Sequence, residues 1–176
     1  GSDPLSQRQA QAWTAAWVEL AGRQPRTLRW PAEAERWQQQ RESVDAVAVM
    51  LNTAEWAALR QTLGSVPAYL PPSLNEQAPV GSEGLAITVL DMPWLLTPDS
   101  GVSARYPRPL EPLTHATERL YALGIDAFRV ARRLAGRNTP GLWLDGVSGR
   151  LQLGSGREVQ RRLLLSSPTG QLWLDE

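Results

Sequence analysis

Residues 46–63 read AVAVMLNTAEWAALRQTL. Six apolar residues run unbroken over 46–51, as in a strand covered on both faces within a parallel sheet. Asn52 and Glu55 then form a capping pair. Trp56, Leu59 and Leu63 make the buried face of a helix ended by Gly64. A strand feeding straight into a helix is half of a right-handed crossover unit. Flanking stretches repeat the alternation. Residues 27–30 are a short strand candidate, Pro31 suits a first helical position, and 32–40 reads as a polar, one-sided helix. Residues 68–70 and 85–90 are further apolar strands, separated by Pro71-Pro72. Ala10, Trp13, Trp17 and Leu20 mark a helix from about residue 5 to 21, closed by Gly22, with no strand before it. Together these predict an α/β fold with an open, mostly parallel sheet flanked by helices.

The longest helix is predicted over 114–134, THATERLYALGIDAFRVARRL. Ala116, Leu120, Leu123, Ala127, Val130 and Leu134 recur at spacings of four and three. They form an apolar stripe that is expected to face the core, with Arg119, Arg129, Arg132 and Arg133 largely off it. Thr114 can cap the start, and Gly136 follows the end. Before this helix, residues 91–112 have many prolines and no clean period, which reads as a long surface loop. After it, 142–144, 150–153, 161–165 and 171–174 are short β pieces. Turns are expected at Asp145-Gly146, 154–156 and Thr169-Gly170. This is a short β-rich C-terminal tail.

At 176 residues the chain predicts one domain, spanning 3–176, with Gly1-Ser2 reading as a cloning scar. Lys+Arg equals Asp+Glu at 18 each, so no global field attracts nucleic acid or anionic lipid. All 18 basic residues are Arg, scattered evenly, which carries no functional signal. There is no Cys, hence no disulfide, thiolate nucleophile or Cys-type metal site. No apolar run is long enough to span a membrane.

The chemistry is mostly negative. The single histidine, His115, cannot build a zinc site alone and reads as a capping-turn or exposed residue. No Gly-x-Ser-x-Gly elbow exists, Gly64-Ser65 and Gly81-Ser82 lying in loops. Gly154-Ser155-Gly156 lacks the Lys-Ser/Thr of a phosphate loop and reads as a turn. Asp126 lies beside the helical stripe. It reads as half of a structural ion pair with an arginine rather than as a catalytic carboxylate, since no second acid or His is near it in sequence. Arg132-Arg133 and Arg161-Arg162 read as solvated positions, and most of the eight Trp as core residues or helix anchors. No catalytic residue, metal or cofactor is expected.

Three stretches carry a resemblance. They are LDMPWLL at 90–96, RLYALGIDAFR at 119–129 and GVSGRL at 146–151. They resemble the C-terminal module of the LppC/LpoA lipoproteins, outer-membrane activators of a bifunctional penicillin-binding protein. Residues 45–51 with Thr53-Ala54-Glu55, and Gln7-Arg8, also resemble that family's segments. The resemblance implies one lobe of a type I periplasmic-binding-protein-like fold, cut from a larger two-lobe module. It implies a non-enzymatic role in peptidoglycan synthesis, with a class A penicillin-binding protein as partner. The implied location is the periplasm, tethered to the outer membrane by a lipid anchor absent from this chain. The alternative is half of a periplasmic receptor for a small, amino-acid-type molecule. A lone lobe is also expected to self-associate. For the partner surface the expectation falls on the loop 96–112. There Arg105, Tyr106 and Arg108 supply the side-chain types that dominate interfaces, and Pro98, Pro107, Pro109 and Pro112 stiffen it.

Overall fold

The structure is a computed structural model that describes residues 1–77, 84–99, 101–135, 141, 143–154, 158–167 and 172–173. The chain forms two compact units, the first over Gly1–Val89 with Ser167 and the second over Leu90–Ser166.

The first unit is built as the alternation predicts. Helix α1 (Pro4–Ala21) is capped by Asp3, which accepts from the Leu5 and Ser6 N–H groups, and closes on Gly22 at φ 66°. Donation from the Ser6 hydroxyl, and then from its N–H, holds the Asp3 carboxyl below the usual carboxylate range. Residues 27–30 form no strand. The Arg29 N–H is taken by the Glu33 carboxylate at 2.7 Å, and Leu28 and Trp30 pack on the core. Pro31 follows a cis peptide, and α2 begins only at Ala34, running to Gln40. Its Trp37 is buried, with the indole N–H donated to Thr62 Oγ1 at 2.9 Å.

Strand β1 (Val47–Ala48) is shorter than the apolar run, and pairs in parallel with β2 (Ala68–Leu70). Strand β2 pairs in parallel with β3 (Ile87–Asp91), Ala68 facing Ile87. Helix α3 (Thr53–Arg60) has the reciprocal capping box: the Asn52 side chain accepts the Glu55 N–H at 2.9 Å, and the Glu55 carboxylate accepts the Asn52 N–H at 3.1 Å. The core joins Trp37, Val49, Trp56, Leu63, Leu70 and Ile87 from helices, strands and the segments that connect them. Gly64 lies past the helix, in the turn, at φ 61°. Because one side chain satisfies an N–H that burial would otherwise strand, Asn52→Ala is expected to cost ~1 kcal/mol of stability, read as a lower denaturation midpoint.

Strand β3 continues into the second unit, where the loop reading needs correction. Residues 93–96 are a helical turn, α4 (Pro93–Leu96), started by proline at its first position, and 103–105 a 3-10 turn. Helix α5 (His115–Ala135) has the predicted extent, and the Thr117 N–H donates to Thr114 Oγ1 at 3.3 Å. Its orientation is the reverse of expectation. Leu120, Leu123 and Leu134 are 68%, 37% and 49% exposed, while Ala122 and Asp126 are buried. The inward face instead carries Glu118, Arg119, Asp126 and Arg129, each held by a polar partner.

Antiparallel strands β4 (Trp143–Gly146), β5 (Gly149–Leu153) and β6 (Val159–Arg162) follow. The tight turn is Val147-Ser148, and Asp145-Gly146 belongs to β4. The stretch 161–165 is broken at Leu163, which packs inward. It ends β6 and starts β7 (Leu164–Ser166), which pairs antiparallel with β8 (Leu172–Trp173). The turns expected at Ser155-Gly156 and Thr169-Gly170, and Gly81-Ser82, Gly136, Leu142, Gln171 and Leu174, lie outside the described residues. The α/β class with a mostly parallel sheet flanked by helices holds.

Candidate interaction site

The three stretches that carried the resemblance meet inside the second unit. Asp91 ends β3 fully buried. A buried carboxylate is tolerated only when its charge is paired. Arg119 on α5 supplies the pair with a fork: Nε donates to Oδ1 at 3.0 Å and Nη2 to Oδ2 at 2.6 Å. The Met92 N–H adds a bond at 2.8 Å.

Trp94 on α4 is completely buried. Its main-chain N–H donates to the Val147 carbonyl at 2.9 Å and its indole N–H to the Glu118 carboxylate. Arg108 lies over the indole, 3.6 Å from the ring centre, in a cation–π contact. It also donates to the Trp94 carbonyl at 2.8 Å and sits 3.5 Å from the Glu118 carboxylate. Tyr121 tilts against the indole at 5.5 Å.

Asp126 forms the third brace, as a structural ion pair. Its Oδ2 accepts the Ser148 N–H at 2.7 Å and the Ser148 hydroxyl at 2.8 Å, and Oδ1 accepts from Arg129 at 2.9 Å. Glycine is required at the turn beside it. A Cβ on Gly146 would collide with Asp126 Oδ2 and come within 2.5 Å of the Gly149 carbonyl. Gly149 sits at φ 137°, in the region that excludes other residues. Each carboxylate is thus met by guanidinium, amide, hydroxyl or indole donors. The arrangement cross-braces α4, α5 and the β4–β5 turn, and offers no acid–base pair. Asp91, Trp94 and Glu118 escaped the sequence reading; an acid directly after an apolar strand was the signal for the first.

The expected surface residues are divided by this packing. Arg105 is exposed at the end of its 3-10 turn. Tyr106 is half-buried on the Met92–Trp94–Ala122–Val147 cluster, its ring 5.6 Å from the Arg129 guanidinium. Arg108 is drawn onto Trp94. His115 is the first residue of α5, and Arg132, Arg133, Arg161 and Arg162 are exposed, matching the solvated reading. Among the described residues no three His, Asp or Glu side chains are placed to hold a metal ion, and no helix is long and apolar enough to cross a membrane. A hollow of ≈ 430 Å³ beside β4 and β5 is lined by Trp143, Asp145 and Arg150. Its two charges already pair at 3.5 Å, and all three side chains are about half exposed or more.

Comparison with known proteins adds the following. The model of the family described as LppC putative lipoprotein matches residues 33–166. No curated protein matches the chain. Among solved structures, one described as a putative branched-chain amino acid ABC transporter from Chromobacterium violaceum is 41% identical, with TM-score 0.81, over 94% of this chain and 56% of its own. The C-domain of LpoA (YraM) from Haemophilus influenzae, a regulator of PBP1A, is 21% identical with TM-score 0.68, over 97% of this chain and 58% of its own. Full-length LpoA from the same organism is 20% identical with TM-score 0.67, and 34% of it is covered. The chain therefore spans little more than half of the first two and a third of the last. With three quarters of its length matched by one family model, and the braces of the second unit formed from the motifs that resemble that family, the chain belongs to the LppC lipoprotein family.

Proposed function

We propose that this chain is part of a non-enzymatic, periplasmic regulator of peptidoglycan synthesis, anchored at the outer membrane through a lipid carried elsewhere in the protein. Its partner is a bifunctional class A penicillin-binding protein. The observation that carries the reading is the family match over 33–166, joined to a fold shared with the LpoA C-domain, itself a regulator of PBP1A. The braced second unit fits the role. A regulator that acts by binding must favour the active state of its partner, and a rigid surface spends little entropy on docking.

The docking surface includes Arg105, with Tyr106 and Arg108 behind it. Arg105 is exposed, and the other two hold its turn, Arg108 against Trp94 and Tyr106 against Arg129. Surface plasmon resonance against a class A penicillin-binding protein tests this. Arg105→Glu is expected to weaken binding at least about tenfold in a protein whose circular dichroism is unchanged. Unchanged affinity places the interface elsewhere, and no binding by the unaltered protein refutes the partner.

A receptor for a small amino-acid-type molecule is the second reading, favoured by the 41% identical relative described as a branched-chain amino acid transporter. Such a receptor needs an enclosed site with convergent polar groups. The Trp143–Asp145–Arg150 hollow is instead walled by exposed side chains. Calorimetry with leucine, isoleucine and valine separates the readings: heat of binding supports the receptor, and none supports the regulator.

A further inference from the structure

The antiparallel sheet β4–β5–β6 turns one face inward and one outward. Leu144, Leu151 and Leu153 are buried. The alternation of a strand puts Trp143, Asp145, Arg150 and Gln152 on the other face. Register carries that face onto β6. Gln152 lies opposite Trp143 on one side and Gln160 on the other, and Arg150 lies opposite Asp145 and Arg162. The face is therefore two rows laid across three strands, Trp143–Gln152–Gln160 and Asp145–Arg150–Arg162.

Two local rules are broken on it. Trp143 is 50% exposed, although a tryptophan contributes most when buried. Arg150 and Arg162 stand directly across from each other, a like-charge pair that weakens a sheet. One acid serves both. Asp145 pairs with Arg150 at 3.5 Å and is itself exposed, and Arg162 has no ion pair among the described residues. Broken local rules in a folded protein concentrate at functional sites. Two facing guanidinium forks suit a carboxylate or phosphate set between them. From strand spacing and rise, Trp143 and Arg162 lie about 12 Å apart across the sheet. A matching ligand presents a flat apolar face and an anion at that separation. Gln152 and Gln160 flank the path with amides that both donate and accept, as hydroxyl and acetamido groups require. The hollow of ≈ 430 Å³ lies at the Trp143 end. Its open walls do not enclose a small molecule, but they let a polymer enter and leave.

We propose that the outer face of β4–β5–β6 binds the peptidoglycan strand itself, a sugar ring stacked on Trp143 and a stem-peptide carboxylate held between Arg150 and Arg162. The polymer meets each demand. Its amino sugars present C–H faces, hydroxyls and acetamido groups, and its short peptides carry carboxylates. The inference rests on the periplasmic reading above, and adds that the regulator touches the product of the synthase as well as the synthase. A single-stranded nucleic acid would use the same stacking and the same forks, but a chain of zero net charge does not draw a polyphosphate.

Co-sedimentation with isolated, protein-free sacculi tests this, and the unaltered chain is expected to pellet with them. Trp143→Ala and Arg162→Glu are each expected to raise the apparent Kd at least about tenfold with circular dichroism unchanged, since both side chains lie outside the core. A soluble disaccharide-tetrapeptide is expected to displace the chain, and the same compound with its carboxylates amidated is not. A chain that stays in the supernatant, or variants that pellet as well as the unaltered protein, overturn the proposal. Displacement by a single-stranded oligonucleotide as effective as that by the muropeptide also overturns it, and gives the face to nucleic acid. Trp143→Ala is expected to leave affinity for a class A penicillin-binding protein unchanged in surface plasmon resonance. A chain that binds sacculi but not the synthase therefore refutes the regulator reading and leaves this one standing.

Discussion

Trp94→Ala is expected to lower the unfolding free energy of the second unit by ~3–5 kcal/mol, the range for removing a large buried aromatic. Trp94 is fully buried and central to a small cluster with Met92, Ala122 and Val147. The loss goes beyond volume. Glu118 loses the indole donor, and Arg108 loses the ring beneath it. A partly buried carboxylate and guanidinium are then left to each other at 3.5 Å. Trp94→Phe separates the parts. It restores most of the apolar volume and a ring for Arg108 but not the N–H, so its cost is expected to be well below that of alanine. Guanidinium denaturation followed by circular dichroism gives both numbers. Equal midpoints for Trp94→Ala and the unaltered protein would show that the cluster does not hold this unit together.

Leu123→Ala is the instructive control. Apolar spacing alone marks Leu123 as core, and a buried leucine would cost ~2–5 kcal/mol. At 37% exposure its truncation is expected to cost under ~1 kcal/mol. The difference shows what was legible in the sequence. Caps, lengths and strand–helix alternation are local, and Asn52–Glu55, residues 68–70 and the limits of α5 could be read directly. Which face of α5 turns inward is not local. It is decided by Asp91, Trp94 and Ser148, which lie far along the chain and attract the polar side of the helix. Periodicity weighs apolar residues only, so a helix held by ion pairs reads inside out. The turn at 93–96 was missed because four residues hold barely one helical period. The strand expected at 27–30 failed because its N–H found a carboxylate instead of a neighbouring strand.

Asp126→Ala is expected to be as damaging as the loss of Trp94, by ~3–5 kcal/mol, the range for removing one partner of a buried pair. Asp126 is 2% exposed and accepts from three donors on two residues. Its removal strands the Ser148 N–H and hydroxyl, both buried in the turn, and leaves Arg129 without its counter-charge. Asp126→Asn keeps the volume and one acceptor oxygen. Its oxygen can still take both Ser148 bonds, which share Oδ2, but its NH2 group then faces the Arg129 guanidinium. An intermediate loss follows. The partner variant Ser148→Ala removes only the hydroxyl and is expected to cost ~1 kcal/mol, because the N–H bond at 2.7 Å survives. The double variant Asp126→Ala/Ser148→Ala should then cost less than the sum of the two, since the hydroxyl is already idle once the carboxylate is gone. Chemical denaturation of the four proteins closes the cycle. Strict additivity would mean that the contact contributes nothing, and that Asp126 is retained for another purpose than bracing α5 to the turn at Val147-Ser148.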